Sequence, residues 1–301
     1  MNAVTGPSNG EASGVEHVMV KERRKEIISD ERSRLPLEGR LTPRAVAALE
    51  EYGFRSGERG THGSRSIMLA DLRQLLESIP SDASYEDYRV AIMEQNLLGK
   101  GTASNRLWSW KKLRELYGLD SNKVVFRAFR ALWSSDSRGR PLLAILLACG
   151  RDPLLRMSAS VILKTPQGSV VTPEDFARGI HEAAPDRFKP GTLRSIGQNL
   201  YASWTQSGHL SAGKVRTRSH TKVTPESVAY ALLLGRLGGA RGQFLFSTFW
   251  TALLDTPTSG LLELAAEASR RGWIDLRRVG SVVEVGFSRL LTPAEEEALR
   301  E

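Results

Sequence analysis

The chain has 301 residues, 41% hydrophobic and 25% charged, with a formal net charge of +8. Such a balance buries an ordinary core and sets aside a wholly disordered chain. One cysteine, Cys149, rules out an internal disulfide, and its apolar run, Leu142 to Cys149, is only eight residues, against the roughly 18 or more that a membrane span needs.

The first 14 residues are small, polar and glycine-rich, and the stretch from Glu16 to Arg34 is densely charged. Residues 1–40 therefore read as a disordered or extended arm. With no basic-then-apolar start, no secretory signal is expected, and a cytoplasmic location fits. Thr42 and Pro43 open a helix, as N-cap and first residue, that passes Val46, Leu49 and Tyr52 and stops at Gly53. Arg55 to Arg65 reads as a loop by its glycines and serines. Ile67, Leu69, Leu72, Leu75, Leu76 and Ile79 mark an amphipathic helix ended by Pro80. Ser84 caps the next, with Tyr88, Ile92 and Leu97 on one side. Thr102 caps a third, with Leu107, Trp108, Leu113 and Leu116. Helical periodicity continues around Asn122–Trp133, Pro141–Ala148 and Pro153–Leu163.

The second half repeats a format. A helix opens at Thr172 and Pro173 and ends near Ala184, a turn holds Pro185, Pro190 and Gly191, and a longer helix runs from Thr192 to Ser207. After it comes a run from Lys214 to Lys222 in which Lys214, Arg216, Arg218, His220 and Lys222 occupy every second position. In a strand these side chains would share one face, about 6.7 Å apart. A row of cations repels itself unless an anion lies along it, and a nucleic-acid strand offers one phosphate per roughly 3.4 Å. A solvated basic loop is the bland alternative. Thr224 and Pro225 restart the format with helices near Glu226–Leu237, Phe244–Leu254 and Ser259–Arg271, then a hairpin of Trp273–Arg277 and Ser281–Phe287 turning at Val279 and Gly280. The predicted fold is mainly α, with two helical lobes, winged helix-turn-helix-like units and small β-hairpins. The division expected is an N-terminal helical domain over 41–164 and a C-terminal domain over 165–301.

Charge is concentrated. Between Asp186 and Val223 there are seven lysines and arginines against that one carboxylate. On the helix from Thr192, Arg194, Gln198 and Tyr201 fall on one face at i, i+4 and i+7, with Ser195 and Asn199 alongside. Arg, Gln and Asn are the side chains that pair with guanine and adenine edges in the major groove. Lys189, Lys214, Arg216, Arg218 and Lys222 are the expected phosphate contacts, and Arg194, Gln198 and Asn199 the groove-facing ones. A second basic surface spans Lys100, Arg106, Lys111, Lys112 and Arg114, interleaved with Trp108 and Trp110; exposed rings there would suit single strands, although Trp108 reads better as core. Arg270, Arg271, Arg277 and Arg278 form a third cluster that helix-end electrostatics explain equally well.

Chemistry beyond binding is not indicated. The turn at Gly99 to Thr102 lacks the glycine and preceding strand of a phosphate loop, and the glycines around Gly235 to Gly242 follow a helix. His17, His62, His181, His209 and His220 show no ligand spacing with another His, Cys or carboxylate, and no nucleophile elbow is present. No enzyme activity, metal or cofactor is expected.

Two stretches carry a resemblance. One runs from Tyr88 to Arg106 and holds Asn96, Leu97, Leu98, Ser104 and Arg106; the other runs from Thr192 to Leu200, followed by Ser207, Gly208, His209 and Leu210. They resemble the BrxA-like family, small helical components of BREX phage-defence systems. The likeness covers about Ser84 to Leu291, and the first 80 residues extend beyond the usual core. It implies an all-helical, two-lobed, winged-helix-like protein that binds double-stranded DNA without known catalysis, in a BREX system or a relative, with other subunits of a defence complex as partners. An RNA-binding factor and a protein–protein adaptor using its winged-helix units remain the competing readings.

Overall fold

The computed structural model describes residues 43–300 except 58, 59 and 281. The expected arm over residues 1–40 and the cap at Thr42 lie outside the described residues. The fold is mainly helical, with one small antiparallel hairpin. No helix among the described residues is long and apolar enough to cross a membrane.

Capping chemistry explains most boundaries. Helix α1 (Pro43–Tyr52) stops where Gly53 turns left-handed at φ 102. A Cβ there would lie 2.8 Å from side-chain atoms of Lys123 and Val125, so only glycine fits. The glycine-rich stretch that follows is more than a loop: the 3-10 turn Thr61–Gly63 buries Thr61 and His62. Helix α2 (Leu69–Ser78) begins later than Ile67, because Met68 takes φ 50; Ile67 is buried from the segment before it. A capping box between Ser84 and Asp87 opens α3 (Tyr85–Met93). Leu97 lies beyond that helix rather than on it, since Asn96 turns left-handed at φ 52 and its side chain accepts from the Lys100 amide at 2.8 Å.

The Thr102 hydroxyl accepts from the Asn105 amide to start α4 (Ala103–Tyr117). Then come α5 (Val124–Ser135) and α6 (Arg140–Arg151), the latter buried at every position from Leu142 to Gly150. A helix apolar all round belongs at the centre of a globule, and this one holds Cys149 there. Asp152 caps α7 (Pro153–Lys164). Another capping box, Thr172 with Asp175, opens α8 (Pro173–Ala183), and α9 (Pro190–Gln206) starts two residues ahead of Thr192 because Pro190 serves at its first turn. Helix α10 (Pro225–Leu237) is nearly all buried. The single helix expected over Phe244–Leu254 is instead a 3-10 turn, Gly242–Ser247, and a one-turn helix α11 (Phe249–Ala252). The break sits at Thr248, which adopts extended geometry to cap Thr251. Helix α12 (Thr258–Arg270) leads to β1 (Asp275–Val279) and β2 (Val282–Gly286), paired from Asp275↔Gly286 to Val279↔Val282 and turning at Gly280. A last helix, α13 (Pro293–Ala298), closes the described chain.

Buried apolar side chains form one cluster from Leu49 to Leu299, and it crosses the division expected at 164 and 165. Tyr230 on α10, for example, packs its ring 6.1 Å from Phe129 on α5 and donates its hydroxyl to the Val125 carbonyl at 2.8 Å.

Candidate nucleic-acid interface

The basic run takes its shape from three short segments. Residues 168–171 follow α7, residues 209–211 follow α9, and residues 216–219 lie between them. Val170 bridges Thr217 and Leu210 bridges Arg218, both antiparallel. The pairing is held by Val171 N to Arg216 O (3.0 Å), Arg218 N to Ser169 O (2.9 Å), Ser211 N to Thr217 O (2.9 Å) and Ser219 N to His209 O (2.9 Å). Against these segments α8 and α9 cross closely. Gly197 makes the crossing possible: a Cβ on it would stand 2.4 Å from the Pro173 carbonyl oxygen.

The outer face of α9 carries Arg194, Ser195 and Gln198, all exposed. Tyr201 continues that face one turn on. The Arg216 guanidinium lies 4.4 Å from the centre of the Tyr201 ring, and its Nη1 donates to the Thr205 hydroxyl at 2.8 Å. A stacked arginine that also donates a hydrogen bond fixes the loop over residues 212–216 beside the helix. Lys214 is exposed in that loop, and Lys189 is exposed at the N-cap of α9, whose first turn holds no acidic residue. Lys189, Arg194, Lys214 and Lys222 have no ion pair among the described residues. Since no carboxylate occurs from Arg187 to Pro225, the face is cationic and unneutralised from within its own segment.

The continuous strand with one charged face does not form. Residues 212–215 bend, and only Thr217 and Arg218 pair, so alternation never aligns the row. Arg218 is 2% exposed and faces the core. Its Nη2 pairs with Asp255 Oδ2 at 3.1 Å, its Nε donates to the Ile162 carbonyl at 3.1 Å, and its Nη1 donates to the His209 carbonyl at 3.2 Å. A guanidinium so held is out of reach of a phosphate. Asn199 is likewise turned inward, donating to the His62 carbonyl at 3.0 Å, and does not face a groove. His220 is exposed but leans on the same Asp255, at 3.3 Å. Lys222 is exposed beyond the paired segment.

Arg106, Lys111 and Lys112 lie on α4, away from this loop in sequence. Lys111 is exposed, while Lys112 pairs with Glu115 at 2.8 Å. Trp108, read from sequence as core, is half exposed, while Trp110, which sequence left open, is the one buried, against Tyr85.

Behind α9 sits an arrangement that sequence spacing did not show. His62 Nδ1 is 2.9 Å from Asp152 Oδ2, and His62 Nε2 is 2.8 Å from Ser203 Oγ. The residues are 90 and 141 positions apart, so no local spacing carried the signal. The order of groups is that of a nucleophile, base and orienting acid. Its surroundings are not those of a nucleophile. All three side chains are at most 1% exposed, the Ser203 hydroxyl accepts from the Ile67 amide at 3.0 Å, and it lies 2.7 Å from the Asn199 carbonyl. Asp152 also accepts from the amides of Thr61, His62, Leu154 and Leu155. Burial alone would raise this carboxyl, but His62 and those amides outweigh it and hold Asp152 below the usual carboxylate range. The trio ties the 3-10 turn at Thr61 to α7 and α9. His209, fully buried within the paired segments, is pushed down to about 3 by desolvation and then by the Arg218 charge, against the help of the Leu253 carbonyl at 2.8 Å. Among the described residues no group of three or more His, Cys, Asp or Glu is placed to hold a metal ion.

Neither a protein-family model nor a curated protein matches the chain.

Proposed function

We propose that the chain binds double-stranded DNA without catalysing a reaction, using α9 and the loop over residues 212–216, and that it serves a BREX-type anti-phage system or a relative. The observation that carries the DNA reading is the clasp of Arg216 on Tyr201 and Thr205. It joins two separately cationic pieces, the exposed face of α9 and the loop bearing Lys214, into one ordered surface. The order of elements from α7 to Ser219, helix, edge segment, two crossed helices and a bent loop between paired segments, supports a winged-helix reading of this unit. In that reading Arg194 and Gln198 face base edges in the major groove, while Lys189, Lys214, Arg216 and Lys222 hold phosphates. The defence role rests on the resemblance of the segments Tyr88 to Arg106 and Thr192 to Leu210 to the BrxA-like family. The non-enzymatic part is supported by the sealing of the His62, Asp152 and Ser203 trio inside the core.

A duplex-binding series over salt concentration tests this. With about four phosphates engaged, log affinity falls against log salt with a slope of roughly −3.6. The variant K189A/K214A flattens the slope by about two and weakens all duplex sequences alike. R194A instead relaxes preference at one base position. A slope near zero, or tighter competition by duplex RNA than by duplex DNA of matched sequence, overturns the assignment.

A further inference from the structure

We propose that the exposed face of α4 around Trp108 is a stacking platform for single-stranded nucleic acid, separate from the α9 surface and not dependent on it. Six tryptophans occur in the chain. Trp110, Trp133, Trp204 and Trp250 are buried, and Trp273 is half-buried. Trp108 stands out at 50% exposed, with Leu107 beside it at 39%. Leaving a large ring in water forfeits its burial, and a ring placed this way among cations fits a ligand with both an aromatic face and negative charge. The Nζ atoms of Lys111 and Lys112 lie 5.8 and 5.7 Å from the ring centre. Lys112 is already paired with Glu115, which leaves Lys111 to meet a phosphate.

One turn back along α4, Asn105 opens onto a cleft of about 590 Å3 whose walls include Arg65, Arg73, Lys100 and Gln206. Asp71 neutralises Lys100 at 2.9 Å, whereas Arg65, Arg73 and the neighbouring Arg106 have no ion pair among the described residues. An aromatic face bordered by a cationic cleft is the pattern that holds unpaired bases while tracking their backbone. Duplex DNA hides its base faces in the stack and offers the indole nothing to lie on, so the ligand class is a single strand. Gln206 ends α9 and lines this cleft, one residue beyond the Thr205 that holds Arg216, so the platform and the duplex surface adjoin the same helix without sharing a contact residue.

Anisotropy with labelled oligothymidylate and oligouridylate of about 20 nucleotides, measured on the full chain, tests the site and separates DNA from RNA. W108A is expected to weaken binding of at least one of them about tenfold, and W108F, which keeps a ring, by less than about threefold. Binding of that oligonucleotide to the native chain quenches tryptophan fluorescence, and the quench is lost in W108F. The variant R194A/K214A leaves single-strand binding intact while weakening duplex binding, and W108A does the reverse, so failure at one surface is distinguishable from failure at the other. Equal single-strand affinity of W108A and the native chain, or no single-strand binding at all, overturns the proposal. So does a change in sedimentation of W108A without nucleic acid, which would assign the ring to contact between protein copies.

Discussion

Arg218 and Lys214 belong to one basic run yet do opposite things. Arg218 is sealed among carbonyls and Asp255, where its charge is compensated. Removing one partner of a buried pair leaves the other uncompensated. R218A is therefore expected to lose about 3–5 kcal/mol of stability, read by denaturant unfolding, with little change in duplex affinity per folded molecule. K214A is expected to move stability by less than about 0.5 kcal/mol while weakening duplex binding, because its side chain is exposed and has no ion pair among the described residues. The reverse result, a stable R218A with weakened binding, would return Arg218 to the interface. Alternation in sequence made the two residues look equivalent; burial decides between them.

At the scale of elements, the sharpest dependence is at the crossing of α8 and α9. Gly197 has ordinary helical backbone, so its role is space and not conformational freedom. G197V places a side chain against the Pro173 carbonyl and Ala177, and forces α8 outward. A loss of about 1–3 kcal/mol is expected from overpacking, together with weaker duplex binding, since α8 supports the helix that carries Arg194 and Gln198. Thermal unfolding and anisotropy on the same sample check both. Unchanged unfolding would mean that the helices are not this close. Local chemistry made many elements legible: Ser84, Thr102, Thr172 and Thr224 each announce a helix start, and each caps one. The pattern misled where a cap fell inside a periodic run, as at Thr248, and where a single residue turned left-handed, as at Met68 and Asn96.

Across the whole molecule, buried ionisable groups bind the stability of the fold to pH. His209 resists protonation in the folded chain, whereas in the unfolded chain it titrates near about 6.5. Stability is therefore whole above about pH 6.5 and falls as pH drops from there toward 3, by about 2 kcal/mol at pH 5 from this residue. Asp152, held below its usual range, adds a further loss only when pH falls below about 4, as its carboxylate becomes protonated. Denaturant midpoints at pH 7 and pH 5 measure the first effect. H209N is expected to flatten the difference whatever its own stability, and a native chain equally stable at both values would contradict the burial of a neutral imidazole.

The sequence by itself determined the helical class, most helix starts and the existence of a cationic segment without carboxylates. These are local properties: caps, periodicity and composition act over a few residues and survive any arrangement of the rest. Only the tertiary structure decided which cations face water, that Trp108 and not Trp110 is exposed, and that His62 meets Asp152 and Ser203. Those outcomes depend on which distant elements pack together. Ion pairing, desolvation and stacking are fixed by neighbours in space, and the chain lists its neighbours only in order.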